Sequence, residues 1–309
     1  MSTPREATAE PRARERLTAY GVTIVVPAYD EEHGIAGVVE RLSKLELGVP
    51  VEILVVDDGS SDGTPNELAK LASRHRSLRV VRHVVNKGYG AALKTGFAQA
   101  RHAVVVITDA DGTYPEHKIA ELLARIDDGA DMAVGSRTGP EVNVPLARRP
   151  AKWVLRMLAQ YLTGSPIPDL NSGLRAMRRE LVQSFRPILP SGFSFTTTIT
   201  MAALTTDRRV DYVTIDYQKR AGSSKIRPVR DTLGFLALIV RTVVYFNPLK
   251  VFYPVAFVVG LGFLGSLYYD VFLISPPNLS DKTVLMFVAL VQVLSIGLVA
   301  DLIEKRSRM

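Results

Sequence analysis

The pattern of apolar and polar positions divides the chain into an alternating region and an apolar tail. Short β-branched runs stand at Val22–Pro27 (VTIVVP), Val51–Asp58 (VEILVVDD), Leu78–Val84 (LRVVRHV), Ala103–Thr108 (AVVVIT) and Asp131–Ser136 (DMAVGS). Helical stretches separate them, the first over Glu31–Leu45. Strands of this length alternating with helices predict an α/β fold, a mostly parallel sheet flanked by helices on both faces. Such sheets take ligands at the carboxyl ends of their strands. Polar clusters follow the first four runs at those ends: AYDEE, DDGSSDGT, NKGYG and DADGTYP. Four clusters on one rim predict one site.

The tail reads differently. Val251–Ile274 and Thr283–Ile303 are apolar runs of spanning length, parted by SPPNLSDK at Ser275–Lys282. A helix needs about 20 such residues to cross a bilayer core. Asp270 lies near one end, where it is expected to reach the interface, and Tyr253, Tyr268 and Tyr269 have the character of interfacial anchors. A buried hairpin in a soluble protein is the alternative, disfavoured by length and by the scarcity of charge. Arg241 and Lys250 precede the first span, and Lys305, Arg306 and Arg308 follow the second. The positive-inside rule therefore puts both termini and the alternating region in the cytosol. Thr232–Phe246 is too short to span and is interrupted by Arg241, so it is expected as an amphipathic helix on the membrane surface, with a third span as the alternative. The resulting division is a disordered tail over 1–20, a cytosolic domain over 21–228, an interfacial helix over 229–249 and a two-helix anchor over 250–309, with spans at about 251–274 and 283–303. The chain is thus expected as a multi-pass protein of the cell (inner or plasma) membrane.

Charge and composition narrow the chemistry. The formal net charge is +7 over 309 residues. With an apolar tail present, that excess points to acidic lipid or a phosphate-bearing substrate rather than nucleic acid. There is no cysteine, which excludes disulfides and thiolate metal sites. The first twenty residues hold no apolar core of secretory-signal length.

Asp109-Ala110-Asp111 is the sharpest local signal. Two carboxylates one residue apart, on a turn after a buried strand, can converge on one hard cation such as Mg²⁺ or Mn²⁺. A cation there would offset the charge of a departing diphosphate. A solvated acidic turn is the bland alternative. Asp57 and Asp58 end the second strand; one can accept hydrogen bonds from a ribose or base while the other caps the turn that follows. Pro27, Tyr29 and Glu31 would line the base pocket, and Lys87 could offset phosphate charge. GYGAAL at Gly88–Leu93 lacks the last glycine of a dinucleotide fingerprint, and Lys94–Thr95 lacks the glycine of a phosphate-binding loop. Ala151–Leu162, with the single Trp153, is amphipathic and suits either a membrane-touching helix or an ordinary core helix.

VVPAYDEE, VVDDGSSDGT, NKGYGAALKTGF and DADGTYP, in this order and spacing, resemble the family-2 glycosyltransferases of the GT-A (Rossmann-like) fold. GSR at Gly135–Arg137, DLNSGLRAMRRE at Asp169–Glu180 and RAGSSKI at Arg220–Ile226 are similar to the polyprenyl-phosphate sugar synthases. That group contains dolichyl-phosphate mannose synthase and undecaprenyl-phosphate sugar transferases. The resemblance runs from about Val22 to Ile226, and the paired spans match its anchored members.

It implies inverting transfer of one sugar from a nucleotide-diphosphate sugar to a polyprenyl phosphate. Asp109 and Asp111 would hold the metal and the nucleotide sugar. Thr113 stands where the mannose synthases often carry glutamine, so a third protein ligand is not implied. Asp58 would bind the nucleoside. Arg137 and one of Arg148 or Arg149 would hold the lipid phosphate. Asp169, Ser172 and Arg175 carry the second motif, with Arg175 on the acceptor side and Asp169 as base, metal neighbour or arginine partner, an orienting role being favoured. Ser224 and Lys225 would lie near the diphosphate. UDP-linked hexose and GDP-mannose both stay open, with UDP favoured, and self-association is allowed.

Three other functions fit the sequence less well. A processive polysaccharide synthase carries Gln-x-x-Arg-Trp, which is absent because Trp153 follows Lys152. A transferase using a non-phosphorylated lipid does not account for the arginine-rich acceptor region. A catalytically dead scaffold does not account for an intact Asp109/Asp111 pair.

Overall fold

The computed structural model describes residues 21–138, 149–192, 194–216, 237, 239–274 and 278–307, with 149–155 and 307 given by their backbone alone. The five expected strands form: β1 (Val22–Ala28), β2 (Val51–Asp57), β3 (Leu78–Arg82), β4 (Val104–Ile107) and β5 (Met132–Ser136). Two more join them, β6 (Arg175–Arg178) and β7 (Val210–Thr214), in the order β3-β2-β1-β4-β6-β5-β7. All pairings are parallel except those of β6, which runs against both β4 and β5.

The period of two along a strand explains how this sheet is covered. Ile24, Val26, Ile53, Val55, Val104 and Val106 face one side, where α1 (Ile35–Ser43), α2 (Thr64–Arg74) and α4 (Ile119–Asp127) supply Ile35, Leu68 and Leu122. Val25, Leu54, Val56, Val105 and Ile107 face the other, under α3 (Tyr89–Gln99), α6 (Arg179–Phe185) and α7 (Phe195–Thr205). With both faces buried, the strands read as continuous apolar runs. β4 is central, so its C-terminal turn opens between the β1 and β6 ends of the rim.

α5 (Arg149–Thr163) buries Ala159 and Leu162 in a third cluster with Ile167, Met201, Leu204, Ile239 and Val243. Met157 and Tyr161 on the same helix are exposed. Its second half is therefore a core helix with one open face; the Trp153 side chain lies outside the described residues. Of the expected interfacial stretch, residues 239–246 are helical (α8). Their apolar side, Ile239, Val243 and Phe246, packs on the α/β domain, leaving Arg241 and Tyr245 outward.

α9 (Leu249–Tyr268), continued by a wider turn over Tyr269–Leu273, and α10 (Asp281–Ser307) form an antiparallel hairpin. The apolar helical stretches are 25 and 26 residues long. At 1.5 Å per residue each exceeds a bilayer core of about 30 Å. Only 11% of the most apolar window of each is buried, whereas a soluble core hairpin would be mostly covered. Phe257, Leu264, Leu285 and Leu298 instead point outward. Asp270 departs from expectation. It does not reach out to an interface but is 1% exposed, accepting from Ser280 N (2.8 Å), Ser280 Oγ (2.6 Å) and Thr283 Oγ1 (2.6 Å). It caps the start of α10 and ties the two helices together, because four amide hydrogens at a helix start need acceptors.

Candidate active site

The first two rim loops are fastened to one another. Asp30 N donates to Ser60 Oγ at 3.0 Å, and Ser61 N donates back to Asp30 Oδ1 at 2.8 Å. Glu31 N donates to Thr64 Oγ1 at 2.9 Å, Glu32 N to Asp62 Oδ2 at 3.2 Å, and Gly63 N to Glu32 Oε2 at 2.7 Å. Several acids of AYDEE and DDGSSDGT thus serve as scaffold. Burial pushes the Asp62 carboxyl up, but hydrogen bonds from Thr64 and Glu32 hold it below its ordinary range. Among the residues expected at the base pocket, Pro27 is buried in β1, Tyr29 is exposed beyond its end and Glu31 is half-buried.

Asp57 and Asp58 divide their work in a way the sequence left open. Asp58 is buried and holds the third rim loop: Oδ1 accepts from Lys87 N (3.0 Å) and lies 2.6 Å from His83 Nδ1, and Oδ2 accepts from Gly88 N (2.7 Å). Asp57 caps its own turn, accepting from Ser60 N at 2.9 Å. Its other oxygen, Oδ2, is buried and takes no hydrogen bond, although Arg82 Nε stands 3.1 Å away. That oxygen is met by the half-exposed Arg82 guanidinium as an ion pair rather than by a hydrogen bond. The Lys87 side chain is exposed on the same loop.

The turn after β4 carries Asp109 and Asp111, both half-buried. Tyr89 Oη, from the first residue of α3, donates to Asp109 Oδ1 at 3.0 Å. Burial first, and then the charge of Asp109, push the Tyr89 phenol well above its ordinary range, so it is a donor at working pH. Thr113 donates to Asp111 Oδ1 through Oγ1 (2.7 Å) and N (3.1 Å). Gly173 packs on Asp109: a Cβ there would lie 2.8 Å from Oδ2. Gly173 N in turn donates to Tyr114 Oη at 2.7 Å.

This donor set fits Mg²⁺ or Mn²⁺. Asp109 and Asp111 offer hard carboxylate oxygens; among the described residues no group of three or more His, Cys, Asp or Glu side chains gathers there. Such ions keep positions for substrate phosphates and water.

Arg137 and Asp169 face each other at the end of β5. Arg137 Nε donates to Oδ2 at 2.7 Å, Nη2 to Oδ1 at 3.0 Å and the backbone N to Oδ2 at 3.1 Å. Burial raises the Asp169 carboxyl, but Arg137's hydrogen bonds and charge outweigh it and hold the group below its ordinary range. Of the three roles open to Asp169, the arginine partner is the one the geometry displays.

Arg175 corrects an expectation. Expected on the acceptor side, it is 0% exposed, with its guanidinium engaged inside the protein. Nε (3.0 Å) and Nη2 (2.5 Å) donate to Ser172 O, and Nη1 to Thr200 Oγ1 (2.9 Å) and Thr196 O (3.2 Å). It braces the Ser172–Gly173 turn against α7: as the first residue of β6 it lies on the sheet face that α7 covers. Ser172 Oγ is buried without a hydrogen bond. Arg148, Ser224 and Lys225 lie outside the described residues, as does the Arg149 side chain.

The sequence reading missed Tyr89, His83, Arg82 and Tyr114. Tyr89 and Tyr114 stood inside quoted motifs, but pairing Tyr89 with Asp109 needs the β1–β4 adjacency.

Comparison with known proteins agrees with this geometry. The model of Glycosyl transferase family 2 matches residues 23–186, more than half of the chain. The model of the GtrB C-terminal hairpin matches residues 247–305. A dolichyl-phosphate hexose transferase of Haloferax volcanii is 31% identical over 67% of this chain and 87% of its own length. A polyprenol monophosphomannose synthase of Mycolicibacterium smegmatis is 33% identical over 66% of this chain and 80% of its own. An undecaprenyl-phosphate 4-deoxy-4-formamido-L-arabinose transferase of Pseudomonas aeruginosa is 35% identical over 56% of this chain; the match spans 54% of that relative. Among solved structures, glucosyl-3-phosphoglycerate synthase of Mycobacterium tuberculosis, with Mn²⁺, UDP and phosphoglyceric acid, superposes with a TM-score of 0.58 at 21% identity. That match covers 74% of this chain and 80% of the other, and at such identity it speaks for the fold.

Proposed function

The chain belongs to glycosyl transferase family 2, and from that premise we propose that it moves one sugar from a nucleotide-diphosphate sugar to a polyprenyl phosphate. Transfer takes place at the cytosolic membrane face, with inversion and with a divalent cation. The observation that carries the reading is the Asp109/Asp111 turn at the C-terminal end of β4, in a chain whose tail is a membrane-length hairpin. The names of the relatives support the acceptor class, and the Mn²⁺ bound to the solved neighbour supports a divalent cation.

The residues divide the work as follows. Asp57 and Asp58, at the carboxyl end of β2, shape the nucleoside end of the site with Arg82 beside them, with Tyr29 over the base and Lys87 toward the phosphates. Asp109 and Asp111 hold Mg²⁺ or Mn²⁺, which supplies positive charge against the departing diphosphate. A phosphate monoester is already anionic near neutral pH, so its oxygen attacks the anomeric carbon with no protein base. The obstacle is repulsion between two phosphate groups. Arg137, oriented by Asp169, faces the acceptor and offsets it, as do Arg148 or Arg149, Ser224 and Lys225. Direct displacement in a single step inverts the sugar carbon. Positive residues at both outer ends of the hairpin support a cytosolic catalytic domain and cytosolic termini.

The test is a panel: the purified full chain, Mg²⁺ or Mn²⁺, undecaprenyl or dolichyl phosphate, and each common labelled nucleotide sugar. A chelator-sensitive lipid-linked product is expected with one donor. Transfer to diacylglycerol but to neither phosphate lipid overturns the reading.

A further inference from the structure

Carboxylate ligands are useful to a metal only when their orientation is fixed in advance, because the terminal torsion of aspartate is broad. Both aspartates of the β4 turn have one oxygen held by a hydroxyl of this chain. For Asp109 it is Tyr89 Oη at 3.0 Å, and for Asp111 it is Thr113 Oγ1 at 2.7 Å. In each case the oxygen held is Oδ1. Resting on the reading of this pair as the metal-holding residues, we infer that Tyr89 and Thr113 are its positioning residues, acting as outer-shell donors that set both carboxylates for the cation–diphosphate.

The two hydroxyls reach their targets by different routes. Thr113 is 2% exposed and two residues beyond Asp111, so its backbone N and its hydroxyl close a tight local turn on the carboxylate. That engagement makes it a support for Asp111 rather than a further ligand. Tyr89 comes from another element. Asp58 draws in the backbone N–H groups of Lys87 and Gly88, and Gly88 has φ +96°, a conformation suited to glycine. Tyr89 follows directly as the first residue of α3. Asp58 thereby works at a distance: it sets the loop that delivers the phenol to Asp109. Gly173 closes the far side of the same carboxylate.

Outer-shell partners of metal ligands are worth about 10- to 100-fold in metal affinity. The experiment uses the full chain in detergent and follows free Mn²⁺ by its electron paramagnetic resonance signal, with UDP or GDP present, whichever retains the ion in wild type. Tyr89→Phe and Thr113→Val are each expected to raise the Mn²⁺ concentration for half-saturation about tenfold. Thr113→Ser, which keeps the hydroxyl, is expected to return near wild type. Nucleotide binding in chelator and the thermal midpoint are expected to change little, which a merely structural role would not allow.

Wild-type Mn²⁺ retention in both Tyr89→Phe and Thr113→Val overturns the inference while leaving the metal reading intact. Parallel loss of chelator-resistant nucleotide binding and of the thermal midpoint also overturns it. A wild-type chain that retains no more Mn²⁺ than Asp111→Asn sinks the metal reading itself, and the inference with it.

Discussion

Gly173→Ala isolates the placement of Asp109. Gly173 is not among the positive-φ glycines, so its backbone accepts alanine. Its N–H bond to Tyr114 Oη survives the change. What the new methyl meets first is the Asp109 carboxylate: Oδ2 at 2.8 Å, Oδ1 at 2.9 Å and Cγ at 3.0 Å. Ordinary van der Waals contact begins at 3.4 Å, so the carboxylate must retreat by roughly half an ångström. A side chain pushed that far off its rotamer costs about 0.5–1.5 kcal/mol. For a domain of this size that lowers the thermal midpoint by only a few degrees, at about 2–4 °C per kcal/mol. The catalytic penalty is larger, because a misplacement of about 1 Å costs about 100-fold. Half that shift is expected to lower the transfer rate by about 10- to 50-fold and to raise the Mn²⁺ requirement. Initial rates across a Mn²⁺ series, beside a thermal melt, check this. Wild-type rate and metal requirement in Gly173→Ala would refute the reasoning. So would a midpoint loss above about 10 °C, since the yielding group would then be the fold rather than the carboxylate.

Asp111→Asn is expected to abolish transfer while the hairpin still inserts, as read by flotation with vesicles. Arg137→Ala leaves a half-buried carboxylate without its bidentate partner and is expected to cost about 1–3 kcal/mol by denaturant titration; it should also raise KM for the lipid phosphate more than for the nucleotide sugar. Because Asp169 titrates below its ordinary range, its pairing stabilises the fold above the unfolded carboxyl value of about 3.9, and that contribution is lost as pH falls through the lowered folded value. The stability gap between wild type and Asp169→Asn should therefore be flat near neutrality and close only in acid; a gap that closes around neutral pH contradicts the assignment. Ser266 Oγ and Thr283 Oγ1 lie 2.5 Å apart across the hairpin in a chain without cysteine. Ser266→Cys with Thr283→Cys should cross-link on oxidation with no background, and failure to do so in intact membranes would count against this register.

Much of the fold was legible because both sheet faces are buried, which makes each parallel strand a dense apolar run. β6 and β7 were not. RAMR at Arg175–Arg178 begins and ends in arginine, and only its insertion between β4 and β5 makes it a strand. Arg175 shows the cost of reading charge as exposure: both faces of this sheet are covered, and the Ser172 and Thr196 carbonyls with the Thr200 hydroxyl, rather than solvent, receive the guanidinium. The Asp109/Asp111 turn was readable from local sequence. The hold of Asp58 on the third rim loop was not, since it depends on a loop that folds back onto Asp58 from thirty residues away. Asp270 was misjudged for a related reason. Hydropathy locates a span's end but does not reveal that a serine and a threonine of the next helix will receive the charge.

The fastening of the first two rim loops has a consequence for how the protein can vary. Asp30, Glu31 and Glu32 on one loop and Ser60, Asp62 and Thr64 on the other each give or take a bond across the gap. Neither loop is an independent module. A chimera that imports a new first loop, while keeping the resident second loop, would strip Ser61 N and Gly63 N of their acceptors on Asp30 and Glu32. Substitutions at Asp30 or Glu32 are therefore tied to the second loop, and these two distant stretches of chain drift together.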